Sequence, residues 1–166
     1  MVAAAVVMPQ APILAGVTDS KLLSDRRRRQ LFQQILVTAS AVGVGAVWQE
    51  EIDQINILQA TLVAMSLAVA QLQPLPDCVL VDGNQLPVLT LPALAIVDGD
   101  LKSYSVAAAA IVAKVMRDNL MVQLDRLYPC YGFARHKGYG TREHQSAIRT
   151  FGPCSLHRRS FSWGTT

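Results

Sequence analysis

Two short apolar runs constrain this chain more than anything else. Cys78 to Val81 stops at Asp82-Gly83, and Leu94 to Val97 stops at Asp98-Gly99-Asp100. Each reads as a buried strand halted by turn chemistry. A long alanine-rich helical pattern, Ser105 to Leu127, follows the second run. Strands interleaved with helices of that length predict an α/β or α+β domain rather than an all-helical bundle.

The rest of the chain has the same texture. Val2 to Met8 is β-branched and apolar, closed by Pro9 and Pro12, and predicts another strand. Gly16 to Ser20 reads as a turn, after which Ser24 or Asp25 can cap a helix. In that helix Leu31, Ile35 and Leu36 are expected to face the core. Arg26 to Arg29 crowd its first turn and are expected on a solvated face. There they oppose the helix dipole at a cost of a few tenths of a kcal/mol each. Val42 to Val47 predicts a strand alternating with Gly and Ala. Glu50 to Leu72 has helical period through Ile52, Ile55, Leu58, Leu62 and Met65, and Pro74 and Pro76 end it. Tyr128 to Tyr139 is a loop rich in Gly, aromatic and basic residues, and Arg142 to Phe151 is a last helix before a basic tail. No repeat or linker interrupts this order, so 1–166 is expected to be a single domain.

Composition narrows the class. Apolar residues make up 51% of the chain and charged residues 16%, enough for a core and too little charge for a disordered segment. Stretches 30–49 and 54–76 carry no charge, but polar residues or Pro interrupt both, so no membrane span is expected. The apolar start has no basic residue before Lys21, which predicts no signal peptide. Cys78, Cys130 and Cys154 show no paired spacing, which fits a reducing, cytoplasmic setting.

Charge is segregated along the chain. Residues 1–113 hold six Lys/Arg against nine Asp/Glu, whereas 114–166 hold nine against three. A basic end on an acidic body points to a polyanion, nucleic acid first, or else to a solvated tail on a metabolic enzyme. The Asp-Gly stops admit two readings as well. Asp-Gly is a favoured turn pair. Carboxylates gathered at the ends of sheet strands can also hold Mg²⁺ or Mn²⁺ through hard oxygen ligands. The histidines lack zinc-site spacing, and no Gly-rich phosphate loop is present. Tyr139, within His136-Lys137-Gly138-Tyr139-Gly140-Thr141, could stack on a base or sugar while Arg135 and Lys137 meet phosphates, or could be a half-buried surface ring.

Taken in order, these blocks resemble the bacterial ribonuclease HII (type 2 ribonuclease H) family over nearly the whole chain. Asp19-Ser20-Lys21 with Leu23-Ser24 is similar to D-S-K-K-L-S. Glu51-Ile52-Asp53, Asn56-Ile57-Leu58 and Ala64-Met65 are similar to E-I-D-x-x-N-I-L…A-M. Val81-Asp82-Gly83-Asn84 resembles the V-D-G strand end, and Gly99-Asp100 precedes Val106 to Asp118, which resembles I-A-A-A-S-I-x-A-K-V-x-R-D. Tyr131 to Thr141 resembles Y-G-F-x-x-H-K-G-Y-G-T, and Gly152-Pro153 with His157 to Phe161 resembles G-P-x-x-x-H-R-R-S-F.

The resemblance implies a ribonuclease H-like mixed sheet flanked by helices, with a helical, basic C-terminal part. It implies an endoribonuclease that cuts the RNA strand of RNA–DNA hybrids and nicks beside ribonucleotides embedded in duplex DNA. In the family four carboxylates hold Mn²⁺ or Mg²⁺, a metal-activated water attacks the phosphate, and 3′-hydroxyl and 5′-phosphate ends result. Carried over by motif, Asp82 and Asp100 are catalytic metal ligands and Tyr139 stacks at the RNA–DNA junction. Lys21, Lys114, Lys137 and the basic tail lie near phosphates, in a protein expected to be a monomer. Leu22 and Ala110 depart from the family's usual Lys and Ser.

The family's D-E-x-G-R-G segment, expected just ahead of Val2 to Met8, is not among these residues. It supplies two carboxylates, a contact to the 2′-hydroxyl and a central strand. The expected sheet therefore lacks its first strand, with unpaired backbone beside the gap. Three outcomes remain open: an active enzyme whose chain extends further, a truncated remnant without catalysis, and a module that binds hybrids.

Overall fold

The computed structural model describes residues 1–161. In chain order it contains strand β1 (Val2–Val7), helix α1 (Asp25–Thr38), strand β2 (Ala41–Ala46) and helix α2 (Gln49–Ala70). Strands β3 (Val79–Asp82) and β4 (Ala93–Ile96) follow, then helices α3 (Gly99–Lys102) and α4 (Tyr104–Leu127). A 3₁₀ turn (Pro129–Tyr131), α5 (Phe133–His136) and α6 (Arg142–Phe151) complete the chain. Short helical turns thus occupy most of what the sequence presents as the loop 128–139.

β1 and β2 pair antiparallel, with Val2 opposite Ala46 and Val7 opposite Ala41. One face of this ribbon is covered by α1 and α4, where Leu31, Phe32 and Ile35 meet Ala108, Ile111, Val112 and Val115. The buried stripe of α1 is Arg28, Leu31, Phe32 and Ile35. That is the i, i+3, i+4, i+7 row of one helix face, and Leu36 falls one step outside it. Leu36 is 43% exposed, contrary to expectation. The same row explains why Arg28 is buried rather than solvated. Its Nε donates to the Ser20 carbonyl at 2.8 Å and its Nη2 to the Leu23 carbonyl at 2.7 Å, so the chain before α1 is stapled to the helix. Arg26 and Arg29 remain exposed. Ser24 caps α1 by accepting the Arg27 N–H. Ser24→Ala is expected to cost about 1 kcal/mol, readable as a lower urea midpoint at unchanged slope.

The other face of the ribbon receives α2 at close range. A Cβ built on Gly43 would lie 2.0 Å from the Ala68 carbonyl oxygen, and one on Gly45 would lie 2.0 Å from that of Ala64. Only glycine lets the helix backbone come this near. α2 is broken at Asn56, whose φ is 67° and whose Oδ1 accepts the N–H groups of Leu58 and Gln59 at 3.0 and 3.1 Å. Asn56 therefore caps a second helical segment and resets its phase. The buried row after the break is Ala60, Ala64 and Ala68, each fully buried, while Leu58 is 45% exposed. The single stripe expected from Ile52 to Met65 does not survive the break. α2 is long and apolar enough to cross a membrane by length and composition; here its alanine row packs on a sheet.

β3 and β4 pair in parallel, from Val79 opposite Ala93 to Asp82 opposite Ile96. Neither joins β1 or β2, so the described residues form two separate two-stranded sheets. A groove of about 380 Å³ separates them, lined by all of β1 and β3 and by Val106, Ala109, Ala110 and Ala113 of α4.

Candidate functional site

The ends of β3 and β4 bring two sequence-distant carboxylates together. β3 finishes at Asp82, whose Oδ1 accepts the Gly99 N–H at 2.8 Å. Asp98, in the left-handed region at φ 54°, turns the chain out of β4 and aims that N–H. A Cβ on Gly99 would press on Asp82 Oδ1 at 3.2 Å and its Cα at 3.3 Å, so glycine permits the approach. α3 then carries Asp100 into the same corner. Burial pushes the Asp100 carboxyl above its ordinary range, the negative charges of Asp19 and Asp82 push further, and Lys21 opposes them.

The sequence presents 16–20 as a turn and gives Asp19 no role of its own. That segment is a true turn: Asp19 Oδ1 accepts the Lys21 N–H at 2.8 Å. The staple from Arg28 to the Ser20 carbonyl fixes it against α1. The Asp19-Ser20-Lys21 block thus delivers an acid and a base to Asp100. The readable signal was that block standing just ahead of a helix cap. Among the described residues, no group of three or more His, Cys, Asp or Glu is arranged to hold a metal ion. Asp82 and Asp100, with Asp19, offer hard oxygen donors under mutual repulsion. That donor chemistry suits a divalent cation but does not form a full cage.

The second half of the site is basic and aromatic. Tyr139 is 56% exposed. Behind its ring stand Arg117, 4.6 Å from the centroid, and Lys114 at 5.4 Å. Lys114, Arg117 and Asp118 share one face of α4. Asp118 is buried and holds Lys114 at 2.9 Å and Arg117 at 3.6 Å. Arg117 Nη2 also donates to the Lys137 carbonyl at 2.8 Å, which ties the Tyr139 loop to α4. Lys114 is thus held by Asp118 behind the Tyr139 ring, and the Lys137 ammonium bonds the Ala134 carbonyl. Beside them opens a cleft of about 600 Å³, walled by Trp48, Arg117, Lys137, Tyr139, Arg158 and Phe161, with no Asp or Glu among the described residues of its lining.

The basic tail is fastened by Asp53, to which the sequence pattern assigns no role. Its carboxylate accepts the Arg159 and Ser160 N–H groups at 2.8 and 2.9 Å and the Ser160 hydroxyl at 2.5 Å. The Ser160 hydroxyl, first among these bonds, holds the Asp53 carboxyl below its ordinary range. Ser160 and Asp53 are far apart in sequence, and only the fold reveals their pairing. Arg158, next to this anchor, lies 3.8 Å over the Phe161 ring.

α4 links the two halves. Val106 lies against Gly99 beside Asp82, and Arg117 lies against Tyr139. Eleven residues of helix separate them by roughly 16 Å. That is about five base pairs of duplex.

The family model for Ribonuclease HII matches residues 1–164. Ribonuclease HII of Acetivibrio thermocellus is 49% identical over 162 residues, which are 98% of this chain and 63% of that protein. Ribonuclease HII of Caldicellulosiruptor saccharolyticus is 48% identical over 96% of this chain and 78% of its own length. Ribonuclease HII 2 of Methylibium petroleiphilum is 51% identical over 98% and 75%. The chain thus spans less than two thirds of the Acetivibrio relative. Among solved structures, ribonuclease H2 from Pyrococcus horikoshii OT3 superposes with a TM-score of 0.70 at 22% identity, covering 98% of this chain and 95% of that one. RNase HII in a PCNA complex from Archaeoglobus fulgidus gives 0.69 at 24% identity, covering 89% and 79%. These structures share the fold. With the carboxylate corner, the Tyr139 loop and the matched motifs from end to end, the chain belongs to the ribonuclease HII family.

Proposed function

We propose that this chain is the substrate-reading and metal-holding body of an endoribonuclease acting on RNA–DNA hybrids and on ribonucleotides in duplex DNA. One observation carries the reading: Asp82 and Asp100 converge at the strand ends, repelling one another, roughly 16 Å along α4 from an exposed tyrosine backed by cations. Asp82 and Asp100 would hold Mn²⁺ or Mg²⁺. A bound ion supplies Lewis-acid polarisation of a phosphate oxygen and lowers the pKa of water. Tyr139 stacks on the sugar or base at the ribonucleotide, and Lys21 stands beside Asp100 to meet a phosphate. Water adds at phosphorus, the bond to the 3′-oxygen breaks, and 3′-hydroxyl and 5′-phosphate ends leave. Free thiols at Cys78, Cys130 and Cys154 fit a reducing, cytoplasmic setting, and a monomer is expected.

Two carboxylates and a neighbour do not complete the cage. We infer that the groove between β1 and β3 would receive one further strand bearing the remaining carboxylates, since it is lined along the whole of both strands. Ala110 lines this groove where the family's Ser would stand. A second reading is favoured by the same observation. With the Tyr139 cleft formed and the carboxylates incomplete, residues 1–166 alone act as a hybrid-binding module.

The test uses a duplex bearing a single ribonucleotide, with Mn²⁺ or Mg²⁺ present. Residues 1–166 are expected to bind it with a steep salt dependence and leave it uncut. Extension by a D-E-x-G-R-G strand is expected to bring nicking. Cutting by 1–166 alone would show that no further carboxylates are needed. Absence of binding at low salt would remove both readings.

A further inference from the structure

The C-terminal third buries three histidines, and neither the carboxylate corner nor the stacking ring uses them. His136, His144 and His157 are 7%, 6% and 8% exposed. The His136 and His144 rings stack at 4.3 Å, and His157 lies 5.2 Å from His144. Phe133 and Tyr131 wall the group at 5.5 Å from His144 and 4.9 Å from His157.

Hydrogen bonds place the protons. His144 Nδ1 lies 3.0 Å from the Tyr139 carbonyl. A carbonyl only accepts, so Nδ1 carries the hydrogen and, in the neutral ring, Nε2 offers a lone pair. That Nε2 lies 3.1 Å from His157 Nε2, which must then donate. His157 Nδ1 is left to accept the Cys154 N–H at 3.0 Å. His136 Nε2 donates to the Tyr131 carbonyl at 2.7 Å while its Nδ1 accepts the Gly138 N–H at 3.2 Å. The neutral state therefore has a directed relay from the Cys154 backbone through His157 and His144 to the Tyr139 carbonyl.

We propose that His144 and His157 are positioning residues that tie the Tyr139 loop to the basic tail, and that acid unties them. The proposal rests on the reading of Tyr139 as the ring that stacks on substrate. A proton added to His144 Nε2 puts two N–H donors face to face at the 3.1 Å contact, and one added to His157 Nδ1 faces the Cys154 N–H at 3.0 Å, beside the Cys154 Sγ at 3.1 Å. The surroundings resist that proton. Burial pushes His144 below its ordinary value; the bond to the Tyr139 carbonyl opposes this and the His136 ring adds to it. Burial likewise pushes His157 down, His144 next, while a backbone hydrogen bond with Cys154 opposes them. Across the cleft stand Arg117, Lys137 and Arg158, all cations. The nearby acids are engaged or neutral. Glu143 pairs with Arg135, the Tyr131 hydroxyl donates to the Gly152 carbonyl at 2.7 Å, and burial pushes the Cys154 thiol up.

The relay makes a prediction opposite to plain electrostatics. A basic cleft gains positive charge on acidification and should hold a duplex more tightly. The relay instead predicts that affinity for a ribonucleotide-containing duplex, at fixed salt, falls about tenfold from pH 7.5 to 5.5. His157→Gln keeps an N–H donor toward His144 and can turn its amide to accept. It is expected to match the wild type at pH 7.5 and to lose the pH dependence. His157→Leu is expected to bind about tenfold more weakly at both pH values. Wild-type affinity that is flat or rises in acid would overturn the proposal, as would equal behaviour of the Gln and Leu variants. If no duplex binds at any pH, the reading of Tyr139 fails by itself. The relay is then judged by imidazole ¹⁵N spectra. These should show His144 protonated at Nδ1 and His157 at Nε2 near pH 7.5, and any other pair of tautomers refutes it.

Discussion

Replacing Gly45 by alanine should destabilise the fold by about 3 kcal/mol, near the upper end for overpacking. For a domain of this size that is a drop in melting temperature of about 10 °C. The added Cβ would sit 2.0 Å from the Ala64 carbonyl oxygen and 2.8 Å from the Ala68 backbone nitrogen. Both are backbone atoms of α2, so no side chain can swing away. The helix must lift off the ribbon, which opens the contact of the fully buried Ala60, Ala64 and Ala68. The displacement reaches the site, because α2 also carries Asp53 and its grip on the tail at Arg159 and Ser160. Weaker duplex binding should accompany the lower melting point. Gly140→Ala is the control: its nearest neighbour is the far end of Gln145 at 3.9 Å, and its stability should change by less than about 0.5 kcal/mol. Equal melting of the two variants would show that α2 does not rest on glycine at β2.

The elements were legible because their signals are local. Asp-Gly stops after apolar runs mark β3 and β4, and prolines close α2. Ser24 before an apolar row marks α1. What misled was phase. A helix interrupted at Asn56 still looks periodic in sequence, yet the residues after the break turn a different face inward. The alanine row was buried because glycines on β2 admit it, and that pairing is a property of two segments at once. Arg28 shows the same limit. Four consecutive arginines read as solvent-facing, but one lies on the core row and finds carbonyl acceptors there. In the site, Asp82 and Asp100 were legible as strand-end acids. Asp19 and Asp53 were not, since their roles depend on a carboxyl and a tail far away in sequence. Tyr139 stood out by composition, whereas the cations behind it are set by helical spacing and a buried Asp118.

Asp82→Asn should erase the response of this chain to divalent cations while leaving the corner in shape. The asparagine amide oxygen can still accept the Gly99 N–H that Asp82 accepts at 2.8 Å. What disappears is one of the charges that push the Asp100 carboxyl up. The sign follows from that direction. A folded carboxyl that holds its proton more tightly than the unfolded one destabilises the native state as pH rises above the ordinary carboxylate range. At neutral pH the metal-free wild type therefore carries the full repulsion, and Asp82→Asn should melt at the same temperature or higher. A divalent ion reverses the order. An ion that binds only the folded chain stabilises it by about 2.7 kcal/mol at one hundred times its Kd. Wild type should gain this in Mn²⁺, and Asp82→Asn should gain little. Asp100→Asn should behave like Asp82→Asn. In a chain that also has the remaining carboxylates, Asp82→Asn should lower nicking at least about 10³-fold, with duplex binding retained. Equal Mn²⁺ stabilisation of wild type and both variants would place the cation elsewhere and leave the pair as a turn. Stabilisation lost together with tighter metal-free folding has a single physical source: two carboxylates held near each other at a cost that only a bound cation removes.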